Sequence, residues 1–64
     1  MKKPNASDRL LTVREVLDIL RIGRTTLHQL RRRGVIEAVH IGRAVRFRAS
    51  DIERLIEHGA EVER

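Results

Sequence analysis

The amino-acid sequence predicts a small α+β domain in which a helix, a turn, a second helix, a two-stranded β-hairpin and a third helix follow one another. Two capping boxes, at residues 12–15 and 50–53, mark the beginnings of the first and third helices. Gly34 marks the end of the second helix, and alternating apolar residues around 42–44 indicate the hairpin. The chain has 64 residues, no cysteine and one aromatic residue, so a small aliphatic core must stabilise it without disulfides.

The first helix is predicted over residues 13–20. In its capping box the Thr12 hydroxyl accepts from the backbone amide of Glu15, and the Glu15 carboxylate accepts from that of Thr12. Residues 1–10 before it are polar, contain a proline and lack periodicity, which predicts a flexible N-terminal arm. The folded domain is therefore expected over residues 11–58, and residues 59–64 are expected to form a short acidic tail.

The second helix, predicted over residues 25–33 with Gly23 as its N-cap, has two contrasting faces. Leu27 and Leu30 are three residues apart and share the face that can pack on a core. The opposite face has guanidinium, hydroxyl, amide and imidazole groups and no acid, whereas ordinary solvated helix faces usually include Asp and Glu. These groups contact phosphates and base edges. The candidate DNA-contacting residues here are Arg24, Thr25, Thr26, His28, Gln29, Arg31 and Arg32.

The distribution of charge supports the same interpretation. Residues 21–48 contain eight arginines and one glutamate, a net charge of +7, against +1 in residues 1–20 and −3 in residues 49–64. Such segregation is typical of a nucleic-acid-binding face with a neutral or acidic back. We expect the eight arginines to converge in space. Arg43 at the hairpin tip, with Arg46 and Arg48 behind it, is predicted to contact phosphates or the minor groove.

Two segments of alternating residues flank residues 42–44 and predict the hairpin. A three-residue loop would pair Val39 with Phe47, both facing inward, and would set His40 opposite Arg46 on the outer face. A two-residue loop would pair Val39 with Arg46 and mix the two faces. The three-residue register is therefore the expected one.

The third helix begins at the second capping box, residues 50–53, and is expected to stop near Gly59. Its apolar residues Ile52, Leu55 and Ile56 are spaced to lie on one face and are expected to be buried.

The ordered set of motifs resembles the excisionase-type helix-turn-helix domain, which is related to the DNA-binding domain of MerR-type regulators. The matching stretches are Leu11-Thr12-Val13-Arg14-Glu15-Val16, Arg24-Thr25-Thr26-Leu27, Arg32-Arg33-Gly34, Ile41-Gly42-Arg43 and Val45-Arg46-Phe47. The resemblance covers residues 11–57 and implies a winged helix-turn-helix. In that fold the second helix lies in the major groove and the hairpin is a wing whose tip reaches the backbone or the minor groove.

Carried over position by position, the resemblance implies that Arg24, Thr25, His28 and Arg32 lie in the groove and that Arg43 is at the wing tip. The family often has an aromatic residue where this chain has His28, so a pH-dependent contact is conceivable at this position.

Catalytic and metal-binding functions are not expected. The three histidines lack the spacing of a zinc site, and no cysteine accompanies them. The chain has neither Cys nor Tyr, and its serines are placed in the arm and at a helix cap, so we expect no enzyme and no cofactor. No apolar run approaches ~20 residues and no signal peptide is evident, so we expect a soluble protein of the bacterial cytoplasm, on DNA.

The first functional hypothesis is an excisionase, or recombination directionality factor, of a phage or other mobile element. It would bind and bend attachment-site DNA to direct excision by an integrase. Because a small domain with ~5 phosphate contacts binds weakly alone, cooperative self-association on double-stranded DNA is expected. The alternative is a small MerR-like transcriptional regulator acting as a repressor. A third hypothesis is a protein-interaction module that presents its basic face to an acidic partner.

Overall fold

The computed structural model describes residues 9–59. The elements in chain order are β1 (Leu10–Thr12), α1 (Val13–Leu20), α2 (Arg24–Arg32), β2 (Val39–Ile41), β3 (Ala44–Arg48) and α3 (Ala49–His58). Three helices and a three-stranded antiparallel sheet form a small α+β fold of the winged helix-turn-helix type, which confirms the predicted fold class. Residues 1–8 of the predicted arm and residues 60–64 of the predicted tail lie outside the described residues.

Strand β1 is not predicted by the sequence. It pairs with β3, so the sheet has the order β1-β3-β2, and Leu11 lies opposite Phe47. The pairing is extended by a hydrogen bond of 2.8 Å from the Ala49 amide to the Arg9 carbonyl. Leu10, which the prediction placed in the arm, therefore belongs to the sheet. The folded region begins before residue 11.

The predicted register of the hairpin is wrong by one residue. Val39 lies opposite Arg46 and His40 lies opposite Val45, so the loop has two residues rather than three. The reason is the backbone at Gly42, whose φ of 63° supplies the left-handed conformation that a type II′ turn requires at its first central position. A three-residue loop would instead require a left-handed Ala44, which the structure places in β3.

The corrected register exchanges the two faces of β2. Opposed residues of an antiparallel pair project from the same face of a sheet, so His40 shares the face of Val45 and Phe47. Val39 and Ile41 lie on the other face, where Ile41 is 54% exposed. The conformation of the turn therefore sets the register, even though this register leaves the apolar Ile41 of β2 exposed.

The core joins the helices to β1 and β3. Phe47 and Val16 are completely buried and lie at its centre. Leu27 is 4% exposed and Leu30 is half-buried, which confirms the predicted inner face of α2. The buried residues are Leu11, Val16, Leu27, Ile36, Phe47, Ala49 and Ile52. This cluster holds α2 against the sheet.

The capping box of α1 forms as predicted. The Glu15 amide donates to Thr12 Oγ1 at 3.1 Å, and the Thr12 amide donates to Glu15 Oε1 at 2.8 Å. The backbone hydrogen bond from Thr12 lowers the pKa of the Glu15 carboxyl, and the charges of Arg9 and Arg46 lower it further. The start of the helix-turn-helix is thus specified locally.

The predicted start of α3 is two residues late. β3 runs directly into α3, which begins at Ala49 with Arg48 as its N-cap, so Ser50 lies inside the helix rather than at the cap. The predicted end near Gly59 is confirmed by its φ of 73°. The expected burial of Ile56 is wrong, because α3 packs on the core mainly through Ala49 and Ile52, which leaves Ile56 57% exposed.

Candidate nucleic-acid interface

The helix α2 is held by its inner face and by both of its ends. Gly23 is the extended N-cap, as predicted, and α2 begins at Arg24. At the other end Gly34 has a φ of 78°; its amide donates to the Arg31 carbonyl, and the Val35 amide donates to the Leu30 carbonyl, each at 3.0 Å. These two bonds are those of a Schellman motif, for which glycine is the preferred residue. A helix fixed in this way presents its outer face in a defined orientation.

All the sequence-predicted contact residues of α2 are exposed. They are Arg24, Thr25, Thr26, His28, Gln29, Arg31 and Arg32. The helix has no acidic residue, and within residues 9–59 every ion pair lies on α3 or at its start. None of the described α2 guanidinium groups is therefore neutralised by a salt bridge, which leaves them available to an anionic partner.

An open cleft separates α2 from β2. His28, Arg31 and Arg32 line it from the helix, and Glu37 and His40 line it from the connecting segment and β2. The Arg31 guanidinium carbon is 6.0 Å from the centre of the Phe47 ring, so this side chain also lies over the edge of the core. The cleft combines two permanent positive charges, two imidazoles and one carboxylate.

Two shallow depressions extend this basic surface along α2. Arg24 lines one of them together with His28 and Arg31. Gln29 and Arg32 line the other together with Arg33. The structure therefore brings the arginines of the second helix together, as the charge distribution predicts.

The arginines of the hairpin are placed differently. Arg43 is exposed in the two-residue turn at the wing tip. Arg46 and Arg48 alternate with Phe47 and so project from the opposite face of the sheet, away from the cleft. Arg46 is half-buried and donates from Nη1 to the Val45 carbonyl at 2.9 Å, and Arg48 is 3.8 Å from Asp51. The expected convergence of all eight arginines is therefore wrong, because the cleft and depressions along α2 bring together only Arg24, Arg31, Arg32 and Arg33.

His40 is the residue that sequence reasoning misses. The three-residue register assigns it to the outer face with Arg46, whereas the structure places it in the cleft beside α2. The signal in the sequence is the Gly42-Arg43 pair, because glycine at the first central position is typical of a two-residue hairpin loop.

Other kinds of site are not evident in the described part of the chain. Residues 9–59 contain no cluster of three or more His, Cys, Asp or Glu side chains able to hold a metal ion. The helices described here, of which α3 is the longest at 10 residues, are too short to cross a membrane.

Comparison with known proteins identifies the family of this domain. A family model described as a helix-turn-helix domain, of excisionase-like type, matches residues 10–60. This region contains all six elements of the fold and the whole basic surface of α2. Neither a curated protein nor a solved structure matches the chain.

Proposed function

The chain belongs to the helix-turn-helix family of excisionase-like DNA-binding domains, and from this premise we propose that it is an excisionase. In this proposal it binds and bends attachment-site DNA and thereby directs excision by an integrase. The role is one of binding and architecture rather than catalysis.

The observation that carries this proposal is the outer face of α2. It is exposed and free of acids, and an internal core and a Schellman motif fix its orientation. An α-helix with side chains is ~10–12 Å across, and the major groove of B-DNA is ~12 Å wide. The helix therefore fits the groove with this face toward the bases.

The side chains of this face have two distinct roles in the proposal. The Gln29 amide has one donor and one acceptor that match the adenine edge, and the Arg32 guanidinium has two donors that match the two acceptors of the guanine edge. Arg31 and Arg33 diverge by ~100° per residue from Arg32, so they bind phosphates and set the register. Arg24, Thr25, Thr26 and His28 complete the surface that follows the groove.

The wing supplies a second, sequence-independent contact. Arg43 at its tip reaches the neighbouring backbone or minor groove. Arg46 and Arg48 project from the other sheet face, so their contact with DNA requires the duplex to bend around the wing. Such bending is what an excisionase must produce at an attachment site.

Self-association on DNA is proposed through α3. Three acidic side chains of α3, Asp51, Glu53 and Glu57, give this helix the opposite sign to α2. Ile19 of α1 and Ile56 of α3 are 46% and 57% exposed and line one depression. The occupant proposed for this side is a second copy bound at the adjacent site, which would present basic side chains other than those of the α2 face that lies in the groove, because their charges are complementary. The integrase is the further partner.

The arrangement of binding sites on DNA tests the excisionase role. We expect footprints on attachment-region DNA to fall on direct repeats, because α3 of one copy meets a different surface of the next copy in a head-to-tail array. Inverted half-sites centred one helical turn apart, ~10–10.5 base pairs, would instead indicate a dimeric regulator such as a repressor. Binding to acidic proteins without binding to DNA would support the interaction-module hypothesis.

A further inference from the structure

We propose that the cleft between α2 and β2 is a binding site for a backbone phosphate of DNA and that His40 is one of its ligands. In this proposal the site couples DNA binding to the uptake of protons. The inference rests on the proposed DNA binding and adds to it a residue, a ligand group and a dependence on pH.

The backbone of the wing places His40 in this site. The two-residue turn at Gly42 sets His40 opposite Val45, on the sheet face that it shares with Phe47. Arg31 of α2 lies over the Phe47 ring on this same face. His40 is exposed there, so its imidazole is accessible to a ligand that enters between the helix and the wing.

The charges around the cleft suit one phosphate. The helix α2 contributes His28, Arg31 and Arg32, the segment before β2 contributes Glu37, and β2 contributes His40. Arg31 is the guanidinium that binds the phosphate in this proposal, whereas Arg32, which is assigned to a base edge, adds only its charge. On β3 the residue opposite His40 is the apolar Val45. With both imidazoles neutral, two guanidinium groups and one carboxylate leave a net charge of about +1. Protonation of the imidazoles raises this charge and gives each ring two N–H donors.

The direction of the pH effect follows from these charges. A bound phosphate is negative and accepts hydrogen bonds, so it favours the protonated rings. The complex therefore binds more protons than the free protein, and by linkage the affinity for DNA rises as the pH falls. A difference of one pKa unit between the two states at one ring corresponds to a tenfold change in affinity.

The experiment measures binding of a labelled random-sequence duplex by fluorescence anisotropy, at constant ionic strength, at about pH 8 and about pH 6. We expect the unmodified protein to bind about tenfold tighter at the lower pH. His40→Gln retains a polar side chain but cannot become charged, and we expect its ratio to fall below about threefold. His58→Gln is the matched control, because His58 lies on α3, 3.8 Å from Glu57, outside the cleft, and should keep the full ratio.

A second measurement needs no variant. In the unmodified protein, imidazole C–H signals in NMR spectra at pH 7 should show a larger protonated fraction for His28 and His40 when the duplex is added, with His58 unchanged. An unaltered pH ratio in a folded His40→Gln, or unchanged His40 protonation on adding DNA, would overturn the site. Binding that depends on salt but not on pH would overturn the proposed phosphate site, and the proposed DNA-binding function would still stand. Absence of duplex binding at every pH would remove both.

Discussion

Raising the salt concentration from about 50 mM to about 200 mM should weaken binding to duplex DNA about 500-fold. The reason is that ~5 phosphate contacts release about as many counterions, which gives a slope of about −4 to −5 in a plot of log affinity against log salt concentration. The proposed interface assigns these contacts to the exposed arginines of α2 and of the wing tip. A titration of fluorescence anisotropy at several salt concentrations measures the slope.

A pair of arginine variants tests whether the salt dependence comes from the proposed DNA-contacting residues. Arg43→Ala removes one phosphate contact at the wing tip and should make the slope shallower by about 1. Arg54→Ala is its matched control, because Arg54 lies on α3, 3.7 Å from Asp51, and should leave the slope unchanged. A flat salt response in the unmodified protein would rule out the phosphate contacts.

Replacing Arg32 by alanine should relax the sequence preference by ~1–3 kcal/mol, which is the discrimination that a bidentate pair with guanine provides. Arg32 is exposed and lines both the α2–β2 cleft and the depression beside Gln29, so it lies centrally on the proposed reading surface. Arg43→Ala should instead weaken binding to all sequences about equally, because a phosphate contact does not read bases.

A mobility-shift titration with a selected target duplex and a random duplex measures this difference. For Arg32→Ala the loss should be concentrated on the target duplex, whereas for Arg43→Ala it should be similar on both. An equal loss on the two duplexes for Arg32→Ala would contradict its assignment to the groove.

Features encoded by local interactions could be predicted from the sequence. The capping box of Thr12 and Glu15 specifies the start of α1, and Gly34 specifies the end of α2 through its left-handed backbone. Between them, the spacing of Leu27 and Leu30 identifies the inner face of the second helix. The opposite face of this helix must then be exposed, so the main candidate surface could be predicted without a structure.

Features that depend on pairing between distant segments could not be predicted in the same way. β1 has three residues, too few for an alternating pattern, and its strand conformation comes from pairing with β3. The segment at Ser50 has the composition of a capping box, but β3 continues into α3 without a loop and the Arg9 carbonyl accepts from the Ala49 amide. The start of α3 is therefore set by strand pairing and by this hydrogen bond, and not by a capping box.

The hairpin shows how one residue of register changes the site. The three-residue loop is predicted because it turns the apolar Val39 toward the core. The left-handed backbone of Gly42 instead gives a loop of two residues. Since successive strand residues project from opposite faces, that shift moves His40 into the cleft beside α2. The hairpin register thus decides which β2 side chain shares the cleft.

The central claim is that the outer face of α2 is the surface that meets DNA. The most direct test follows the backbone amide signals of the uniformly ¹⁵N-labelled protein by NMR while a duplex is added. We expect the largest changes at residues 24–33 and at the wing tip, 42–43, with α3 little affected at low occupancy. Changes concentrated on α3, with α2 unperturbed, would contradict the claim.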